Sequence, residues 1–176
     1  RVAYVSTDEE LHILRADGAN RATVQPDTAI DDMGPARWSR SGRAVFAAWT
    51  DGDGHGGTPG RRLFVTDAST GVARLMGSAI GVSHPDWAPD GNRIVYAVGA
   101  SIETANSDDG SNRREIASGA ELSRPRYSPD GNQIAYLDSD WRHTTLHAAD
   151  ATGGDRHAVA SAACSVVCRQ SETRYA

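Results

Sequence analysis

The sequence predicts an all-β fold, a β-propeller of about four four-stranded blades closed by pairing of its N- and C-terminal strands. Three observations carry this expectation. A twelve-residue pattern occurs three times along the chain. A strand–turn–strand signature follows it within each unit. The 18 Gly and 7 Pro among 176 residues break the chain into short extended segments, with no long stretch of helical periodicity.

Composition bounds what such a chain can do. With 39% apolar and 23% charged residues it can bury a core and is no disordered tail. Its longest apolar run, residues 44–49, is six residues, against the roughly 20 that a membrane helix needs. Membrane insertion is therefore not expected. The formal net charge is −5 and the Arg residues are scattered, which argues against a nucleic-acid partner. All 18 basic residues are Arg. The absence of Lys excludes a lysine-dependent phosphate loop, a Schiff base and a Ser-Lys dyad. The first residue is Arg1 rather than Met, so the chain is expected to have been trimmed.

The repeat defines the units. Pro85-Asp-Trp-Ala-Pro-Asp-Gly-Asn-Arg-Ile-Val-Tyr96 aligns without a gap to Pro125-Arg-Tyr-Ser-Pro-Asp-Gly-Asn-Gln-Ile-Ala-Tyr136. Pro35-Ala-Arg-Trp-Ser-Arg-Ser-Gly-Arg-Ala-Val-Phe46 joins them once one residue slips. The period is 40 residues from Pro85 to Pro125 and 50 from Pro35 to Pro85, the excess lying in a Gly-rich insert at 51–60. Four segments, starting at Leu11, Leu63, Ile102 and Leu146, run into Asp/Gly turns and read as hairpins.

In the third unit the expected strands are 86–88, 93–98, 102–106 and 113–118. Pro89-Asp90-Gly91 and Pro129-Asp130-Gly131 make the first turn: Pro sets φ, Asp bonds its own backbone, and Gly accepts positive φ. The preceding aromatics Trp38, Trp87 and Tyr127 are expected to pack between neighbouring sheets. A lone four-stranded sheet of this size cannot bury both faces, so the units must stack. The chain is read as one domain, 1–176, with units 1–34, 35–84, 85–124 and 125–167. Residues 1–5 match a second strand, leaving the first unit without an innermost strand. Residues 168–176 are the candidate closing strand of a four-bladed ring; an excerpt of a longer propeller and two chains pairing into eight blades are the open alternatives.

The pattern Pro-x-Trp-Ser-Pro-Asp-Gly-x-x-Ile-Ala-Tyr, followed by a hairpin ending Asp-Gly-x-x-x-Arg, resembles the WD40-like PD40 repeat of TolB-like β-propellers. The second unit departs from it, with Arg40-Ser41 in place of Pro-Asp. The resemblance implies a non-catalytic protein-interaction scaffold in the periplasm or outside the cell, with an unidentified protein partner and the capacity to self-associate. It leaves open a carbohydrate or small-ligand binding propeller and the regulatory propeller of a larger peptidase.

Candidate sites are few. Gly52-Asp-Gly-His-Gly-Gly57 fits a dinucleotide fingerprint in spelling only, because no helix follows it. Asp51-Gly-Asp53-Gly has two carboxylates of a calcium loop. It lacks a third ligand pair and the Glu at position twelve, so a solvated turn and no cofactor are expected, with calcium left open should Asp31-Asp32 or Asp138 and Asp140 act as partners across a rim. His143 and His147 would share an ion on a helix but lie about 13 Å apart on a strand. There is no G-x-S-x-G elbow, and Ser83 and His84, as strand neighbours, should face opposite ways, so no catalytic residue is assigned. Trp49 and Trp141, with Asp51 and Asp53, form the candidate partner-binding rim. Cys164 and Cys168 can meet in a turn but not along a strand, and a disulfide between them stays open.

Overall fold

The computed structural model of the chain describes residues 2–5, 11–14, 22–26, 30–51, 58–67, 70–140 and 142–163. Every regular element among them is a strand. The first sheet holds β1 (Val2–Val5), β2 (Leu11–Leu14) and β3 (Ala22–Thr23), in that order. The second is built from β4 (Gln25–Pro26), β5 (Asp31–Met33), β6 (Arg37–Trp38), β7 (Arg43–Thr50), β8 (Gly60–Asp67) and β9 (Val72–Met76). Its order is β4-β9-β8-β7-β5, with β6 also on β7. The third holds β10 (Val82–Trp87), β11 (Arg93–Val98), β12 (Ser101–Asn106) and β13 (Arg114–Ser118). The fourth holds β14 (Leu122–Tyr127), β15 (Gln133–Ser139), β16 (His143–Asp150) and β17 (His157–Ala163). The last two are antiparallel meanders in chain order.

Three features differ from the expectation. The first strands of the third and fourth sheets begin at Val82 and Leu122, three residues ahead of Pro85 and Pro125. A proline cannot donate to the ladder, yet it is tolerated on an edge strand whose N–H faces away from its partner. The first unit's last strand is short, and after Val24 the chain crosses to the second sheet. There β4 pairs in parallel with β9 and covers its outer edge. The second unit's first strand is split into β5 and β6, both on β7.

The core lies between sheets, and strand alternation puts it there. Along β7, Val45 and Ala47 face the third sheet while Phe46 and Ala48 face the first. Along β11, Ile94 and Tyr96 face the second sheet and Val95 and Ala97 the fourth. A strand buried on both sides has no polar face, which is why 44–49 is the longest apolar run. Phe46 and Phe64 stack across β7 and β8 with centroids 5.5 Å apart, an arrangement worth about 0.5–1.5 kcal/mol beyond burial. The 51–60 insert lengthens the β7–β8 hairpin, whose register closes at Thr50 opposite Gly60.

Candidate functional site

The strands that open the second, third and fourth sheets lie side by side, with β10 packed against β6 on one side and β14 on the other. Each carries a register shift, at Asp31/Met33, Ser83/Asp86 and Ser123/Arg126. In each, a non-glycine residue adopts left-handed backbone geometry: Asp32 (φ 41°), His84 (φ 50°) and Arg124 (φ 52°). Such strain costs about 1–3 kcal/mol per residue and persists where surrounding structure enforces it. Its repetition in three sheets marks these bulges as part of the design of the inner surface.

The bulges gather charge. Arg61, reached from β8, lies 3.3 Å from the Asp32 carboxylate and donates to the Asp32 carbonyl at 3.1 Å. The Arg61 carbonyl accepts from Gly81 N at 2.8 Å, just ahead of β10. Arg37, Asp86 and Arg126 each precede the packing aromatic of their strand. Backbone links tie the three strands together: Trp87 Nε1 donates to the Arg37 carbonyl at 2.9 Å, and Tyr127 N to Asp86 Oδ2 at 3.3 Å. Partial burial, then the fields of Arg124, Arg126, Arg61 and Arg37, hold the His84 imidazole below its ordinary range. Burial pushes the Asp86 carboxyl up, against the opposing field of Arg126.

One sequence expectation is corrected here. Ser83 and His84 do not face opposite ways: the bulge breaks the alternation and brings Ser83 Oγ within 3.1 Å of His84 Nδ1.

The turn residues hold their own loops. Asp90 Oδ1 accepts from Asn92 N at 2.9 Å and Oδ2 from Asn92 Nδ2 at 3.0 Å. Asp130 makes the same pair of bonds with Asn132 and also accepts from Ser128 Oγ at 2.5 Å. These bonds hold its carboxyl below the usual range. Gly91 (φ 75°) and Gly131 (φ 78°) close the turns. The second unit reaches the same closure one residue sooner, with Ser39 and Ser41 bonded at 2.9 Å and Gly42 at φ 90°.

Trp87 is buried between the second and third sheets, whereas Trp38 and Tyr127 are half-buried at their own interfaces. Arg43 lies over the Trp87 ring, 4.9 Å from its centroid. It also donates to Asp108 Oδ1 (2.6 Å), the Gly91 carbonyl (2.6 Å) and Ser107 Oγ (2.8 Å). It is a clamp between sheets that the repeat alignment displayed, as Arg43 opposite Arg93, without revealing its reach. Tyr127 borders a cavity of about 380 Å³ between the third and fourth sheets, with Asp90, Arg93 and Asp130. A counterpart of about 400 Å³, with Arg43 and Asp108, lies between the second and third. Recurrence at successive interfaces makes these clefts a product of stacking geometry.

Of the candidate rim, Trp49 is the penultimate residue of β7 and is 42% exposed, and Asp51 just beyond the strand is exposed. Asp53 and Trp141 lie outside the described residues, as do Cys164, Cys168 and the candidate closing strand. Trp49 stands opposite Arg61 and Asp31 in the ladder, so the rim adjoins the inner-strand charges. His143 and His147 lie four apart on β16, and His147 stacks on Tyr136 at 5.5 Å. Among the described residues no three His, Cys, Asp or Glu side chains form a metal cluster, and no helix is long and apolar enough to cross a membrane.

Sequence reasoning missed Arg37, Arg61, His84, Asp86, Arg124 and Arg126. The available signal was the proline recurring inside a strand, with a polar residue on either side of it in the third and fourth units.

No protein-family model matches the chain, and no curated protein does. Solved structures do. TolB from Acinetobacter baumannii is 18% identical with a TM-score of 0.64 over 85% of this chain and 37% of its own. A putative TolB from Agrobacterium tumefaciens is 18% identical with a TM-score of 0.66, over 90% and 60%. A chain of a nidogen/laminin complex is 13% identical with a TM-score of 0.63, over 86% and 57%. The chain thus spans between 37 and 60% of the length of these structures. Stacked antiparallel sheets in this arrangement are a TolB-like β-propeller fold.

Proposed function

We propose that the chain is a non-catalytic protein-interaction propeller, or part of one, acting in the cell envelope or outside the cell. The observation that carries this reading is the inner-strand surface, where three strained bulges present charged side chains beside the exposed Trp49. Arg and Trp are the side chains most enriched where partners bind tightly. The likeness to TolB and to a chain of the nidogen/laminin complex supports the interaction class and the compartment. The alternative is a carbohydrate or small-ligand propeller, since an aromatic beside polar groups can also stack on a sugar. A hydrolase domain adjoining this chain in its full reading frame would make it the regulatory propeller of a peptidase.

The test sets a random-peptide display selection beside a glycan array. Peptides that compete for one surface and lose binding in Trp49→Ala, with a blank array, uphold the reading. Glycan hits without peptide binders overturn it in favour of the alternative.

A further inference from the structure

Around His84 the inner-strand surface is positive, with the fields of Arg37, Arg61, Arg124 and Arg126 all acting there, on a chain whose net charge is −5. These four guanidinium groups come from the second and fourth sheets, flanking the third, and meet the carboxylates of Asp32 and Asp86, with Asp31 and Asp51 lying nearer Trp49. Two are engaged within the surface: Arg61 grips Asp32, and Arg126 donates to the Pro125 carbonyl at 2.7 Å with Asp86 nearby. Arg37 and Arg124 are exposed. The Arg61–Asp32 pair shows that the surface already takes a carboxylate against a guanidinium fork. Beside these charges stand two apolar anchors, Trp49 and Ile80, 42% and 40% exposed. Ile80 lies over Gly60, the chain neighbour of Arg61, where an added Cβ would collide with Ile80 Cγ2.

We propose that this surface binds an extended acidic peptide segment of a partner protein, its carboxylates held by Arg37 and Arg124 and an apolar side chain set against Trp49 and Ile80. The proposal rests on the interaction reading above and names the partner's chemistry. Planar guanidinium forks match carboxylates in bidentate geometry. An apolar anchor ringed by charge is the composition of a peptide-binding hot spot. A neutral His84 beside Ser83 adds hydrogen-bonding capacity without adding a charge to the site. The local excess of positive charge would steer acidic segments to a molecule that otherwise repels them.

The probe is a fluorescein-labelled peptide of alternating Glu and Leu, compared with its Gln/Leu counterpart by anisotropy. The Glu peptide should bind at least about tenfold tighter, and the advantage should shrink as salt rises from 50 to 500 mM, as carboxylate–guanidinium pairing requires. Arg37→Gln and Arg124→Gln should each weaken it about tenfold. Arg114→Gln, on the outermost strand β13, should leave it unchanged. Unaltered melting temperatures separate these effects from misfolding.

Equal binding of the two peptides, or equal losses in Arg114→Gln, overturns the acidic specificity. If the Gln/Leu peptide binds and Trp49→Ala abolishes that binding, the interaction reading survives while this inference falls. If neither peptide binds and a glycan does, both fall. Displacement of the Glu peptide by inorganic phosphate at matched charge concentration shows a generic anion site and also overturns the peptide assignment.

Discussion

His84 illustrates how a single side chain reports its surroundings. Burial and four neighbouring guanidinium groups hold its imidazole below 6.5. The unfolded imidazole therefore takes up its proton near that pH, while the folded one does so only lower. Between the two, the unfolded state binds more protons, and stability falls as the pH drops below 6.5. Above 6.5 the residue makes no pH-dependent contribution. Urea midpoints at pH 7.5 and 5.5 should differ in the parent chain, and His84→Gln should narrow the difference. An unchanged difference would show that His84 does not carry it.

At the second interface, Trp87→Ala removes a buried ring and should cost about 3–5 kcal/mol. Arg43→Ala removes the clamp above that ring, so the two substitutions should be non-additive in a double-mutant cycle. Additive losses would show that Arg43 acts only through Asp108 and Ser107.

At the scale of elements, the turn carboxylates bond locally while the bulges depend on neighbouring sheets. Both Asp90 oxygens take their bonds from Asn92, so Asp90→Ala should cost about 0.5–1.5 kcal/mol by thermal unfolding. It should leave binding at the inner strands untouched. Loss of binding with an unchanged melting temperature would make Asp90 a ligand instead. The β12–β13 hairpin makes a sharper demand. Gly110 has φ of +70°, and a Cβ there would lie 2.8 Å from Gly77 N and 3.0 Å from its Cα, where the second sheet ends. Gly110→Ala combines left-handed strain with a backbone collision and should destabilise by about 2–4 kcal/mol. A near-neutral effect in chemical denaturation would mean the two sheets slide apart readily.

For the whole molecule, the outstanding strand is β1. It pairs with β2 and with no other described strand, so one row of its backbone groups has no described ladder partner. The sequence expectation is that the segment 166–171 pairs beside β1. Removing residues 164–176 should speed amide exchange at Val2–Val5 if that segment pairs beside β1. Unchanged exchange there would show that it closes nothing.

The sequence by itself determined the all-β class, the repeating unit and the turns. These depend largely on contacts within a few residues: the Asp90 carboxylate caps its own turn through Asn92, and the hairpins after Leu63, Ile102 and Leu146 follow from alternation and Asp/Gly punctuation. The apolar run at 44–49, read in the sequence only as too short to span a membrane, holds the doubly buried residues Ala44 to Ala48. The tertiary structure decided which sheet each face meets, the parallel addition of β4, and the inner-strand site. That site joins Arg37, Arg61, His84 and Arg126 across as many as 89 positions of sequence. It also depends on bulges that reverse the side-chain alternation at Ser83 and His84. Alternation can be read from local spacing, but a one-residue slip in register changes which residues share a face, and only packing against the neighbouring strands fixes where that slip occurs.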